Sequence, residues 1–373
     1  MTVCLAMLVK DNPEVVARAL RSVRPFVDTW IIMVNEGDAD ALRAAVNGAL
    51  GDLPGELLEC PWVSMGANQT LLFAMARPRA DYTLVFDGDD LLEAPEGFRL
   101  PELTADVYRL VIVDGPITYP RRQLFKNTLA WRSEGAYHET QVADGVRTEE
   151  TLTGLTYRRC HDGARGVDLA RHAKFAEGLE AEMLKDPTNT RNAFYLAQCY
   201  RDCGNVGAAI EAYEKRVKMG GWDQEVYYSL LSIGRLLEMF PDAIASVRDV
   251  YLRAFNLCPK RAEAPYSLAK YCRLRGERVL AYLFAREAAL LRTFPDDALF
   301  AEPAVYTWQA LDEWAIAAYW TERDADAIAL NELLLRREAL PKSEHARILS
   351  NRQFSLTRRA AQQAAHTTET LTP

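Results

Sequence analysis

The feature that most constrains this chain is a change of hydrophobic period near Leu169. Before it, short runs of β-branched and aromatic residues alternate with amphipathic segments; after it, apolar residues recur at helical spacing and the β-branched runs disappear. Such a chain divides into an α/β part with a mainly parallel sheet and an all-helical part. At 373 residues it is long enough for about two domains. We expect an α/β domain over residues 1–168, a helical domain over 169–355 and a flexible tail over 356–373, the tail being rich in Ala, Gln and Thr.

The first part reads in units. Val3 to Val9 is a strand, and Pro13 to Val23 an amphipathic helix with Asp11-Asn12 as its cap and Pro in its first turn. Thr29 to Val34 is a second strand, Ala39 to Leu50 a second helix and Gly66 to Ala76 a third. The run Asp81 to Phe86 is a further strand, and Asp87-Gly88-Asp89-Asp90 follows it directly. Three carboxylates in four residues at the C-terminal edge of an open sheet suit a divalent cation such as Mg²⁺ or Mn²⁺, which prefers hard oxygen ligands. The same tetrapeptide also reads as an acidic β-turn, because Asp and Gly are ordinary turn formers.

A second constellation runs from Arg122 through Lys126 and Trp131 to Gly135-Ala136-Tyr137-His138-Glu139. Its cations suit a diphosphate, its indole a sugar or base, and Glu139 a general base. Alternatively the stretch is a β-hairpin with exposed charges. His161 follows another strand, Leu152 to Tyr157, and is a candidate metal ligand beside Asp89 or a plain structural histidine. Cys199 and Cys203 share a helix face but lack the usual zinc spacings. A Gly-x-Ser-x-Gly elbow, a Gly-x-Gly-x-x-Gly fingerprint and a Gly-Lys-Ser/Thr phosphate loop are all absent, which removes the serine-hydrolase, dinucleotide and P-loop classes.

The net charge of -8 argues against indiscriminate nucleic-acid binding. No apolar run approaches the roughly 20 residues of a spanning helix, no secretory signal is visible, and seven cysteines at irregular positions fit a reducing cytoplasm. In the second half, Phe194 to Tyr200, Gly204 and Ala208 to Tyr213 have the helix-turn-helix cadence of a tetratricopeptide (TPR) repeat. Weaker echoes lie near Tyr228 and Ser267, at about the 34-residue period of that repeat. Such helices suit an acceptor or protein partner, a buttress, or a homodimer surface.

Together these pieces resemble family-2 glycosyltransferases of the GT-A fold that carry TPR-like helices after the catalytic domain. The likeness rests on Cys4 to Asn12, on Asp87-Gly88-Asp89-Asp90 as an Asp-x-Asp motif, on Phe125 to Glu139, and on Phe194 to Asp202 with Gly220 to Ser229. It implies transfer of a sugar from a nucleotide sugar, such as a UDP-sugar, with Mn²⁺ or Mg²⁺ on the diphosphate. By resemblance Asp87, Asp89 and His161 would hold the metal. Glu139, or else Asp90, would take the acceptor's proton during an inverting displacement. Val9, Lys10, Asn12, Glu36, Asp38, Asn68, Asp87, Arg122, Lys126 and Trp131 would line the donor pocket. Two elements depart from the family: Asn35 to Asp40 replaces an Asp-Thr-Gly-Ser-Thr-Asp-like loop, and Gly66-Ala67-Asn68 replaces Ala-Arg-Asn. The expected function is therefore a metal-dependent glycosyltransferase in the cytoplasm, acting on a protein, a glycan or a modified DNA base. The competing expectations are a non-catalytic adaptor that works through its helical repeats, and a nucleotidyltransferase of related fold.

Overall fold

The computed structural model describes all residues except 11, 36–38, 136, 163–168 and 370–373, and leaves the side chains of 169–171 and 365–369 undescribed. The chain divides into two compact units, Met1–Asn205 and Val206–Pro373.

The first unit contains strands β1 (Val3–Val9), β2 (Thr29–Val34), β3 (Gly55–Glu59), β4 (Tyr82–Asp87), β5 (Leu91–Glu93), β6 (Val107–Asp114), β7 (Ile117–Lys126), β8 (Arg132–Glu134), β9 (Thr140–Val142) and β10 (Glu149–Arg158). Its helices are α1 (Pro13–Val23), α2 (Ala39–Leu50), α3 (Met65–Ala76), α4 (Leu169–Lys185) and α5 (Thr190–Asp202). Eight strands form one sheet in the order β3-β2-β1-β4-β7-β6-β10-β5, and β8 pairs with β9 separately. The strands from β3 to β4 are parallel, whereas β7 is antiparallel to both β4 and β6. The sheet is thus mixed rather than mainly parallel, because the short turn at Gly115 joins β6 and β7 as a hairpin, which only antiparallel neighbours allow. Alternation fixes the faces: Leu5, Met7 and Val9 pack with Val16 and Leu20 of α1, while Cys4 and Ala6 pack with Leu72 and Ala76 of α3. Asn12 caps α1 by accepting from the Glu14 amide at 2.9 Å.

The second unit is helical: α6 (Val206–Met219), α7 (Asp223–Leu237), α8 (Ile244–Leu257), α9 (Glu263–Leu274), α10 (Arg278–Leu290), α11 (Ala310–Trp320), α12 (Asp324–Leu335) and α13 (His345–Glu369), with a π-helical turn at Val305–Gln309. Each helix packs on the next along the chain from α6 to α11, and α11 to α13 continue in the same way. In addition α7 touches α9, and α9 touches α11, so alternate helices stack. The alternate helices α7, α9 and α11 begin at Asp223, Glu263 and Ala310, a spacing wider than the roughly 34 residues expected of a regular repeat. Small residues set the close approach: Ala281, Ala285 and Ala288 of α10 are fully buried, and a Cβ at Gly234 of α7 would lie 2.5 Å from the Tyr251 ring of α8.

Arg261 and Glu263 are both fully buried at the centre of this unit. Arg261 donates to Glu263 through Nε and Nη2, each at 3.0 Å, and through Nη1 to Gln224 at 2.7 Å. The Tyr306 hydroxyl donates to Glu263 at 2.7 Å, and the Arg261 guanidinium lies 4.5 Å from the Tyr227 ring centre. Burial pulls the Glu263 pKa up, the Arg261 charge and the hydrogen bonds pull it down, and the net places it below the ordinary glutamate value. Removing one partner strands the other. Arg261→Met should therefore destabilise the chain by about 3–5 kcal/mol in urea unfolding, whereas Arg261→Met with Glu263→Leu should recover most of that loss. Equal instability of the single and double variants would show that the pair is not the unit that matters.

Candidate functional site

The parallel register brings the C-terminal ends of β4, β6 and β10 to one edge of the sheet, where Asp87, Asp114 and the segment after Arg158 meet. The sequence-predicted acidic cluster is here, and the Asp87 and Asp90 carboxylates are engaged by the protein itself. Asp87 accepts from the Tyr157 hydroxyl at 2.9 Å and from Arg121 Nη2 at 3.3 Å, and its amide donates back to the Tyr157 oxygen at 3.1 Å. Asp89 is buried, and its carbonyl accepts from Arg18 Nη2 at 2.9 Å. Asp90 is 1% exposed and accepts from the Cys160 amide at 2.9 Å. Burial, and then the Asp87 charge, push the Asp90 carboxyl up to about 6. Arg121 lies 4.7 Å over the Tyr157 ring, and burial and the Asp87 charge push the Tyr157 hydroxyl well above its ordinary value.

His161 bonds Asp114 at 2.8 Å through Nε2, and Arg159 bonds the other Asp114 oxygen at 3.1 Å. Among the described residues no three His, Cys, Asp or Glu side chains are grouped so as to hold a metal ion. The donor set at this edge does not fit a divalent cation: Asp87 faces Arg121 and a hydroxyl donor, and the His161 ring is turned to Asp114. Of the expected metal ligands, Asp87 bonds Tyr157 and Arg121, and His161 bonds Asp114. The Asp87 and Asp114 carboxylates face arginines and the Asp90 carboxylate accepts from a buried amide.

The second constellation is likewise spread over the fold. Arg122 donates to Glu149 at 2.6 Å and to the Gln141 carbonyl at 3.0 Å, and Lys126 donates to the Thr104 carbonyl at 3.2 Å. Trp131 is a core side chain: it packs edge-on against Phe125 with ring centres 5.0 Å apart and donates to the Lys126 carbonyl at 2.9 Å. Glu139 borders Gly66 at the start of α3, on the side of the sheet carrying β8 and β9. Its neighbour His138 has a positive φ of 51° and stacks on Tyr195 of α5 with ring centres 3.6 Å apart. Of the remaining candidates, Val9 is core, Lys10 is exposed and Asn12 is the helix cap. Asn68 is buried and closes the loop before α3, accepting from the Val63 amide and donating to the Pro61 carbonyl, each at 3.0 Å. Glu36 and Asp38 lie outside the described residues. Sequence reasoning missed Arg18, Arg121, Tyr157, Arg159 and Asp114. Strand alternation carried a signal for one of them, because Arg121 and Arg122 are neighbours in β7 and must face opposite ways.

No family model matches this chain. A curated relative, a TPR repeat-containing protein of Synechococcus elongatus, is 27% identical over 312 residues, which is 77% of this chain and 74% of the relative. Among solved structures, MamA is 19% identical over 48% of this chain and 88% of its own, with a TM-score of 0.36. YrrB, described as a TPR protein with an unusual peptide-binding site, is 12% identical over 50% of this chain and 85% of its own, with a TM-score of 0.39. Scores this low establish no shared fold. The expected membership of the family-2 glycosyltransferases is corrected by these findings: the relative that spans most of the chain is named for its TPR repeats and not for a transferase. The expected transferase activity and its Asp-x-Asp motif fall with it. What stands of the fold is a mixed α/β sheet unit accompanied by many helices, and among the described residues no helix is long and apolar enough to cross a membrane.

The raised Asp90 carboxyl has a thermodynamic signature. Between its unfolded value near 3.9 and about 6, the folded chain binds more protons at this site than the unfolded chain, so the contribution is present at low pH and is lost as pH rises through about 6. The loss is on the order of 2–3 kcal/mol. Asp90→Asn should consequently match the parent near pH 4 and exceed it in stability by that order at pH 7.5, read from urea unfolding of both proteins. A difference that does not change with pH would mean that Asp90 is ionised and satisfied throughout.

Proposed function

We propose that this chain is a non-catalytic adaptor that holds a protein partner on its helical repeats. The observation that carries this reading is the similarity to a TPR repeat-containing protein across 77% of the chain, which takes in more than the helical unit alone. The second unit supports it, since consecutive helices pack as neighbours and alternate helices stack, the arrangement that gives repeat proteins an extended surface for a partner. The acidic strand end accords with it, because the Asp87 carboxylate bonds Tyr157 and Arg121 and the Asp90 carboxylate bonds the Cys160 amide. On this reading the α/β unit is a scaffold whose charges stabilise its own edge. A cytoplasmic location accords with seven cysteines that are all free thiols.

Panning a random-peptide display library on the immobilised full chain should enrich a family of peptides that bind in solution at micromolar affinity. In parallel, UDP, GDP and their sugars with Mn²⁺ should leave the melting temperature unchanged. Failure to enrich any peptide, together with stabilisation by one nucleotide diphosphate that disappears in Asp89→Ala, would overturn the adaptor reading.

A further inference from the structure

The outer face of α10 is apolar where a solvated helix is ordinarily polar. Val279 is 67% exposed, Leu283 45% and Leu290 54%. At about 100° per residue, positions 279, 283, 286 and 290 fall on one line along the helix, opposite the buried Ala281, Ala285 and Ala288. Leu280 borders this line on the same helix, and Trp320 at the end of α11 is also exposed. The Arg278 guanidinium sits over the Trp320 ring, 4.8 Å from its centre, which ties the indole to one end of the stripe. A row of this length, about 16 Å from Val279 to Leu290, matches three turns of a second helix. Scattered exposed leucines are ordinary; an aligned row beside an exposed Trp is the kind of surface that marks an interaction site.

The charges around the stripe select the partner. Within residues 275–292, Arg275 and Arg278 lie at its start, Arg286 within it and Arg292 just past its end, all exposed, against one exposed acid, Glu287; Asp296 and Asp297 beyond Arg292 and Glu322 beyond Trp320 are exposed as well. This basic rim sits on a chain whose net charge is -8. We infer that the outer face of α10 is a docking surface for an acidic amphipathic helix of a partner protein, whose leucine-like row lies along Val279, Leu283 and Leu290 while its carboxylates meet the arginines. The inference rests on the adaptor reading and gives it a surface and a partner chemistry. A second copy of the chain fits less well, because an isologous contact through this face sets the same arginines against one another. A lipid surface fits less well because Arg286 interrupts the apolar line instead of flanking it.

The test uses the full chain and a fluorescein-labelled helical peptide of about 18 residues with Leu on one face and Glu elsewhere, its matched control carrying Lys in place of Glu. Fluorescence anisotropy should show saturable binding of the Glu peptide that weakens with salt, and no binding of the Lys peptide. Leu283→Glu and Arg286→Glu should each weaken the Glu peptide about tenfold or more, while Leu252→Glu, an exposed leucine on α8, should leave it unchanged. Circular dichroism of each variant keeps a folding defect from passing as a binding defect. Equal binding of the two peptides, or none of the Glu peptide, overturns the proposal. So does Leu283-dependent binding to vesicles of phosphatidylcholine and phosphatidylglycerol, or a Leu283-dependent dimer in light scattering. Peptides enriched by panning that bind Leu283→Glu undiminished would remove this face and leave the adaptor reading intact, whereas the absence of any peptide binding would remove both.

Discussion

Charge buried without water must find its partner inside the protein, and the Arg261–Glu263 pair is where the helical unit meets that requirement. The two side chains sit at the start of α9, and their hydrogen bonds reach Gln224 of α7 and Tyr306 of the π-helical turn before α11. Three successive layers of the array are therefore specified by one polar network in which donors and acceptors are matched. A buried pair of this kind adds little net stability compared with apolar residues of the same volume. What it does is penalise any register in which one partner is left alone. The second buried pair, Arg216 of α6 with Glu225 of α7 at 2.8 Å, applies the same penalty one layer earlier. Helices whose spacing departs from a regular repeat gain most from such restraints, since sequence period alone no longer fixes how they stack.

The same requirement explains the acidic edge of the sheet. Asp87, Asp89 and Asp90 stand within four residues, and in isolation they invite a cation. In the fold, cations and donors arrive from other elements: Arg121 from β7, Tyr157 from β10, and the Cys160 amide from just beyond it. Arg18 of α1 meets the Asp89 carbonyl and Asp162. Asp87 and Asp90 of this cluster thus take part in an internal charge network in three dimensions.

Much of the α/β unit was legible from local pattern. The strands Val3–Val9 and Thr29–Val34 and the helices Pro13–Val23 and Ala39–Leu50 have the boundaries that periodicity, Asn12 and Pro13 assign them. β3 was missed because Gly55-Glu56-Leu57-Leu58-Glu59 lacks β-branched residues and alternates poorly; it is a strand because β2 offers it an edge. The mixed direction of the sheet was also hidden, being decided by which strand pairs with β4. At the candidate site the carboxylates were visible and their partners were not, because Arg18, Arg121 and Tyr157 come from distant segments and spacing carries no information about them. Trp131 misled for a related reason: an indole near cations suggests a stacking platform, and only the position of Phe125 shows that it belongs to the core. The apolar row on α10 was written in the sequence, yet it stands out only once the inward alanines define which face is outer.

Hydrogen exchange of the full chain, with and without a peptide selected for binding to it, tests the central claim most directly. A chain that works through its helical array should gain protection in the helices between Asp223 and Glu369 and remain unchanged at Tyr82–Glu93 and Glu149–Arg158. Protection concentrated at those strand ends instead, with the helices unaffected, would contradict it.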